Sequence, residues 1–302
     1  KGEILDKLEE LEAGGSTNGS AGIELAYQLA QKNFRQDGVN RIILATDGDF
    51  NVGVSSRSDL VDLIEEKAKT GIFLTVLGFG MGNYKDATVE QLADKGNGNY
   101  AYIDTLQEAK KVLVREMDAT LYTIAKDVKI QVEFNPAVIK GYRLIGYENR
   151  VLADKDFTDD SKDAGEIGAG HTVTALYELI PVGSKTKVPG KIPLKYQSSK
   201  VPTNSEEALT VKLRYKKPKG RKSTQINIPV AYERKSLRAS SENFRFATAV
   251  ASFSMLLRDS KYKKNLSFDK VYVMAKGARG QDRYGYRREF LELVEKAEDL
   301  YD

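Results

Sequence analysis

Apolar and polar residues follow two different periods along the first 120 residues, and these periods predict helices and strands in turn. Apolar residues recur at spacings of three and four in segments 20–34, 58–69 and 105–122, and a shorter helix is predicted near 88–94. Continuous short apolar runs, typical of buried parallel strands, occupy segments 41–47, 72–79 and 100–103. This order of strands and helices predicts an α/β domain with a parallel sheet.

The pattern changes near residue 124, where strict alternation of polar and apolar residues begins. Alternating segments separated by proline and glycine are found at 127–134, 142–147, 172–179, 209–215 and 225–232. They predict antiparallel strands in a β-sandwich-like domain. Helical spacing returns after residue 240 and again over 286–301. We therefore predict an α/β domain at 1–123, a β-rich domain at 124–236, and a helical region at 237–302 that packs on the preceding domains.

The amino-acid composition excludes several classes of protein and of functional site. The 302 residues are 41% hydrophobic and 30% charged, which is typical of a globular chain, and we find no membrane-spanning segment. The chain has no cysteine, so disulfides, thiolate metal sites and a cysteine nucleophile are excluded. The chain has one histidine, His171, which makes a Ser-His-Asp triad unlikely. His171 follows a glycine-rich turn, so we expect its side chain to be solvated.

Charge is divided unevenly along the chain. Residues 1–120 contain 13 basic and 20 acidic residues, a net charge of −7, whereas the whole chain carries +4. The remainder is therefore basic, with a net charge of +11. Its lysines and arginines are scattered rather than clustered, so we expect no nucleic-acid partner.

Two segments of the α/β part carry oxygen ligands suited to a metal ion. One is the glycine-rich loop of residues 14–23, which includes Thr17, and the other ends a predicted strand at Asp47. Ligands bind outside the carboxyl ends of the strands in open α/β sheets, and a carboxylate with a hydroxyl suits Mg²⁺. A strand-end Asp-Gly is also a common turn and helix cap, so spacing alone leaves both interpretations open.

Together these segments resemble a von Willebrand factor type A domain, whose metal-ion-dependent adhesion site uses three loops. Thr17 matches the loop that carries a threonine before a helix, and Asp47-Gly48 matches the strand-end Asp-Gly. The resemblance extends to the bacterial YfbK-like branch over four further stretches: residues 43–53, 120–136, 142–149 and 165–177. It implies a Rossmann-like fold for the α/β domain. It also implies Mg²⁺ or Mn²⁺ held by Thr17 and Asp47, with Ser16, Asn18, Gly48 and Asp49 beside the partner.

One feature departs from the family pattern. The sixteen residues before Thr17 contain no Asp-x-Ser-x-Ser motif, and segment 1–11 has helical spacing instead. The α/β domain is therefore expected to be partial, with its remaining metal ligands upstream of residue 1. We expect weak or absent metal binding in this segment and an uncovered sheet edge. Either the first strands were lost from this segment, or neighbouring molecules cover the gap.

The resemblance implies a non-enzymatic binding module that works at the bacterial cell envelope, in the periplasm or on a lipoprotein anchor. In such a module the metal completes its coordination with a carboxylate from a protein partner. An alternative is an accessory subunit of an ATPase or a chelatase-like machine. A hydrolase is the weakest reading, because one histidine and no cysteine leave no nucleophile with its base and orienting group.

Overall fold

The first part of the chain forms a parallel sheet with helices along it. The computed structural model describes residues 2–12, 18–48, 56–81, 84–147, 151–162, 164–186, 188 and 206–301. Its first elements are α1 (Gly2–Glu9), α2 (Gly19–Lys32), β1 (Arg41–Thr46), α3 (Arg57–Ala68), β2 (Phe73–Gly78), α4 (Asp86–Lys95) and β3 (Tyr100–Tyr102). The strands pair in the order β1-β2-β3, and all are parallel. The predicted α/β architecture is confirmed.

The main core of this part joins β2 to three helices. Leu74 and Val76 of β2 are fully buried against apolar residues of α2, α3 and α4. The helical residues of this cluster are Ile23, Tyr27, Leu60, Val61, Ile64, Val89, Leu92 and Ala93. Because these residues recur every three or four positions, each helix presents one apolar stripe to the sheet.

The helix predicted over 105–122 is interrupted. The structure has α5 (Leu106–Lys110), one wider π-helical segment over Lys111–Arg115, and α6 (Met117–Leu121). The N–H of Glu116 donates to the carbonyl of Lys111, five residues earlier, at 2.9 Å. The prediction of one continuous helix is therefore wrong, because apolar spacing does not reveal an inserted residue in a turn.

The middle of the chain is antiparallel, as predicted. Its elements are β4 (Thr123–Phe134), β5 (Ile139–Ile145), a 3₁₀ turn (Asp154–Asp156), β6 (Gly165–Gly168), β7 (Leu176–Pro181), β8 (Glu207–Lys216), β9 (Ser223–Ala231) and a second 3₁₀ turn (Leu237–Ala239). One sheet has the order β6-β4-β8-β9, and β5 pairs with β7 in another. The predicted strand at 172–179 starts at Leu176 instead. β6 was not predicted, because two of its four residues are glycine.

An acidic loop is held against β8 and β9. The Asp160 carboxylate accepts hydrogen bonds from the Ser223 hydroxyl at 2.5 Å and from the Arg214 guanidinium at 2.9 Å. The Lys216 ammonium donates to the backbone carbonyl of Asp160 at 2.8 Å. The Ser223 hydroxyl, followed by the Arg214 guanidinium, lowers the pKa of the Asp160 carboxyl below its usual value.

The C-terminal part is helical, as predicted, and contains α7 (Glu242–Leu257), α8 (Phe268–Lys276) and α9 (Tyr286–Tyr301). Ser241 and Ser267 cap α7 and α8 by accepting backbone N–H groups. The core between the three helices includes Ala249, Val271 and Val294, all fully buried. α8 was not among the predicted elements, and it supplies Val271.

Arg143 anchors the β5–β7 sheet to residues that precede α8. Its guanidinium donates to Glu178 at 2.6 and 3.1 Å and lies 3.9 Å from the ring centroid of Tyr262. Lys264 lies 3.3 Å from the same carboxylate. The hydrogen bonds from Arg143 lower the pKa of the Glu178 carboxyl below its usual value.

The contacts within the chain define two compact units. One contains Lys1–Lys129, Asp159–His171 and Arg214–Thr224, and the other contains Ile130–Thr158, Thr172–Leu213 and Gln225–Asp302. The boundaries predicted after residues 123 and 236 stay a prediction.

Candidate functional site

Asp47 lies where the sequence predicts, directly after β1 at the carboxyl edge of the parallel sheet. The next residue turns the chain sharply, because Gly48 has a left-handed backbone (φ +78°) and its N–H donates to the Thr46 hydroxyl at 3.0 Å. A Cβ at Gly48 would lie 3.2 Å from the backbone nitrogen of Lys85. The left-handed conformation therefore favours glycine, an added Cβ would be tight, and the Asp47-Gly48 turn lies against the start of α4.

A second loop reaches Asp47 from the end of β2. Gly80 is left-handed (φ +92°), and a Cβ there would lie 3.6 Å from the Cβ of Asp47. The hydroxyl of Tyr102, at the end of β3, donates to the Gly80 carbonyl at 2.5 Å. The parallel register brings the three strand ends together at one edge, so the wall beside Asp47 is built from β2 and β3.

Tyrosines form a hydrogen-bonded network at the same edge. Tyr100 donates to the Asp86 carboxylate, so the 2.8 Å bond between the Tyr84 and Tyr100 hydroxyls has Tyr84 as its donor. The Tyr84 and Tyr102 rings pack with centroids 5.0 Å apart. The Tyr84 hydroxyl lies over Gly78, where an added Cβ would come within 1.7 Å of it.

Burial raises the pKa of two of these phenols, Tyr84 and Tyr100. Desolvation, followed by the hydrogen bonds to Asp86 and Tyr84, raises the pKa of the Tyr100 hydroxyl above its usual value. Desolvation also raises the pKa of Tyr84. Tyr84 and Tyr100 therefore stay protonated to a higher pH than an ordinary tyrosine, and Asp86 is the carboxylate end of the network.

Asn18 has a clear local role. Its side-chain oxygen caps α2 by accepting the N–H of Ala21 at 3.2 Å, and the Ser20 hydroxyl lies 3.2 Å from the same oxygen. Its predicted contact with a partner stays a prediction. Thr17, Ser16 and Asp49 lie outside the described residues.

The chemistry of this edge fits Mg²⁺ or Mn²⁺ only in part. Asp47 supplies a carboxylate oxygen, the ligand type that these ions prefer. Within the described ranges, however, no three or more histidine, aspartate or glutamate side chains are grouped so that they could hold an ion. The described residues thus provide one of the two predicted ligands, Asp47, and no complete coordination shell.

His171 lies away from any such chemistry. It is exposed in the turn after β6, and its backbone N–H donates to the carbonyl of Gly168 at 3.1 Å. Gly168 itself is required by close packing, because a Cβ there would lie 1.6 Å from the carbonyl oxygen of Ala119. The glycine-rich segment before His171 therefore has a structural cause.

Comparison with protein families covers nearly the whole chain. Residues 1–115 match the von Willebrand factor type A domain, and residues 119–300 match the family described as "Uncharacterized protein YfbK, C-terminal". The chain belongs to the YfbK family. The predicted resemblance is thereby confirmed for both parts of the chain.

Within the YfbK family, the uncharacterized protein YfbK of Escherichia coli (strain K12) is 44% identical over 305 residues. The match covers all of this chain and 52% of the relative, so the chain spans about half the length of that protein. Among solved structures, the human COPII-coat protein Sec24c is 12% identical, with a TM-score of 0.38 over 85% of this chain and 34% of that chain. A similarity this low carries no argument about function.

The described helices are each too short or too polar to cross a membrane.

The tyrosine network beside Asp47 was not found from the sequence of this YfbK-family chain. Its members come from β3 and from the segment before α4, and only the parallel register places them together. Gly78 at the end of β2 and Gly80 just after it are the local signal of a close approach at this edge.

Proposed function

We propose that the α/β domain of this chain is a non-enzymatic protein-binding module with a Mg²⁺- or Mn²⁺-dependent site at the carboxyl edge of its sheet. The observation that carries the proposal is the position of Asp47, held at that edge between two left-handed glycines, Gly48 and Gly80. Domains of the von Willebrand factor type A class generally mediate protein interactions, which supports the same function. A divalent ion, when bound, supplies an open position that attracts a carboxylate of the partner.

The residues of this chain would divide the work at the site. Asp47 would hold the ion together with Thr17 and with ligands outside this sequence, while the rigid turn at Gly48 keeps the carboxylate at the sheet edge. The Tyr102 hydroxyl holds the Gly80 carbonyl and so supports the neighbouring wall. Ser16, Asn18, Gly48 and Asp49 would then face the partner. Work at the cell envelope is part of the proposal and rests on the family resemblance; fractionation of cells, followed by detection of the protein, tests it.

Calorimetric titration of Mg²⁺ and Mn²⁺ tests the metal site. We would titrate this chain, its Asp47→Ala variant, the longer E. coli relative, and a variant of that relative with alanine at the position aligned with Asp47. We expect the relative to bind either ion and this chain to bind it more weakly. Asp47→Ala should abolish binding, whereas Asp62→Ala, an exposed carboxylate on α3, should leave it unchanged. Failure of both proteins to bind, or unchanged binding by both aspartate variants, would show that the proposal is wrong.

A further inference from the structure

Arginine is concentrated in two short segments of the C-terminal part, 234–245 and 276–288. These 25 residues contain seven of the sixteen arginines of the chain but only two of its 31 lysines. They contain two acidic residues, so their net charge is +7. Thirty residues separate the segments in sequence, and their charges form one surface only if the fold brings them together.

The fold joins the two segments at one end of the three helices, where α7 and α9 begin and α8 ends. The Arg287 guanidinium donates to the Asn243 side chain at 2.5 Å and to the carbonyl of Ala278 at 2.7 Å, so it links the segments. Arg245 donates to the carbonyl of Ser240 at 2.6 Å and holds the chain that precedes α7. These two half-buried arginines therefore build one surface from residues 234–245 and 276–288, which we call the arginine end.

The other cations of the arginine end are exposed, and its two acidic residues serve the fold. The Asp282 carboxylate accepts the backbone N–H of Arg288 at 2.8 Å, at the start of α9. The Glu242 carboxylate lies close to Gly280, where an added Cβ would come within 2.8 Å of it. The exposed cations are Arg234, Lys235, Arg238, Lys276, Arg279, Arg283 and Arg288.

Acidic residues beside the arginine end reduce this charge without cancelling it. Glu233 pairs with Lys235 at 2.8 Å and Glu292 pairs with Arg288 at 3.8 Å, and all four side chains are more than half exposed. Exposed pairs of this kind are weak and are screened by salt. With Glu233, Glu289 and Glu292 included, the net charge of the surface is still +4. The partner that fits it is therefore anionic.

Apolar side chains are exposed among these cations. Leu237, Phe244 and Tyr284 are 40%, 49% and 44% exposed. They lie in the 3₁₀ turn before α7, in the first turn of α7 and in the loop before α9. A nucleic acid offers phosphates to the cations but no apolar phase for Leu237 and Phe244. The interface of an anionic bilayer takes both, because lipid phosphates attract the cations and apolar side chains enter the acyl boundary.

We propose that the arginine end binds the surface of an anionic membrane, with its exposed arginines at the lipid phosphates and with Leu237, Phe244 and Tyr284 at the acyl boundary. Arginine suits this role because its planar guanidinium donates two parallel hydrogen bonds to a phosphate. The arginine end and Asp47 belong to different compact units of the chain. The proposal therefore does not rest on the metal site.

Co-sedimentation of the full chain with lipid vesicles tests the proposal. One set of vesicles is pure phosphatidylcholine, and the other contains an equal amount of anionic phosphatidylglycerol; a chelator removes any effect of the metal site. We expect the chain to pellet with the anionic vesicles alone, and about 1 M salt to weaken this binding, since the screening length is then about 3 Å. A chain that stays in the supernatant with anionic vesicles at about 0.1 M salt, or that binds both sets equally, overturns the proposal.

Two double variants locate the binding surface. Arg279→Gln with Arg283→Gln should weaken binding by about 25-fold, because each cation at an anionic surface contributes about fivefold. Lys261→Gln with Lys296→Gln removes the same charge and should change binding little. Both lysines lie farther from the helix starts than the screening length of about 10 Å at 0.1 M salt, since each helical residue adds about 1.5 Å. Circular dichroism checks folding, and equal losses in the two folded variants overturn the proposal.

An apolar substitution and a DNA competitor decide between a membrane and a nucleic acid. Phe244→Ser should weaken vesicle binding by about tenfold, because it removes apolar area from the acyl boundary. Leu300→Ser, at an 83% exposed residue near the end of α9, should leave binding unchanged. Duplex DNA at the same phosphate concentration should leave the chain on the vesicles. Release by the duplex, or unchanged binding by a folded Phe244→Ser variant, overturns the membrane as the partner.

Discussion

Tyr27 offers a sharp test of the core, because its side chain is buried without a polar partner. It lies on α2, is 2% exposed, and packs in the cluster that includes Ile23 and Leu74. Among the described residues its hydroxyl has no hydrogen-bond partner. Burial of an unsatisfied hydroxyl costs about 1–3 kcal/mol. Tyr27→Phe should therefore raise the free energy of unfolding by about 1 kcal/mol and the melting temperature by about 2–4 °C.

The same burial makes the effect depend on pH. Desolvation raises the pKa of Tyr27 to about 12, above its usual value near 10. Below pH 10 both folded and unfolded chains keep this hydroxyl protonated, so its contribution is constant. Between pH 10 and 12 the unfolded state ionises first, and the original chain loses up to about 2–3 kcal/mol relative to Tyr27→Phe. The advantage of the phenylalanine variant should therefore grow with pH.

Urea unfolding of both chains at about pH 8 and pH 11 measures the two effects. Tyr122→Phe, at an exposed tyrosine, is the matched control and should change little at either pH. A Tyr27→Phe variant less stable than the original at pH 8 would mean that the hydroxyl has a partner in solution. A difference that stays constant up to pH 11 would refute the assignment of the raised pKa to Tyr27.

Other predictions concern contacts outside this cluster. Asp160→Asn should destabilise the chain at neutral pH and make the free energy of unfolding depend less on pH in acid, as measured by urea unfolding. The pKa of this carboxyl is lower in the folded chain, so its contribution to stability is present above the usual pKa and is lost as the pH falls. Arg143→Lys should lower the free energy of unfolding by about 1–2 kcal/mol, since it loses the contact with Tyr262 and the paired bonds to Glu178. Thermal melts measure this, with Lys296→Met, at an exposed lysine of α9, as the control that should change little. Gly98→Ala should destabilise by more than about 2 kcal/mol, because its Cβ would lie 1.9 Å from the carbonyl oxygen of Leu74. Gly22 lies inside α2, and an added Cβ would meet no atom within 4 Å, so Gly22→Ala should stabilise the chain by about 0.5–1 kcal/mol. Chemical unfolding measures both glycine variants, and a Gly98→Ala chain more stable than the Gly22→Ala chain would contradict the packing at these positions.

The elements that could be predicted are those in which burial and periodicity agree. β2 is apolar except for Thr75 and the terminal Gly78, and in the structure five of its six residues are buried. β6 escaped prediction because Gly165 and Gly168 carry no side chain to show a period, and its place depends on contact with Ala119, far away in sequence. The π-helical segment at Lys111–Arg115 escaped for a different reason, because one extra residue in a turn barely changes the spacing of apolar positions.

At the candidate site, the sequence predicts the position of Asp47 correctly, because that position depends on local sequence alone. Asp47 was found because a carboxylate and a glycine follow a buried strand, and a parallel sheet places that position at its carboxyl edge. Gly80 and Tyr102 belong to two other strand ends, and their approach to Asp47 depends on the register between strands. Patterns along the chain do not encode that register, since each strand is equally apolar before and after a shift.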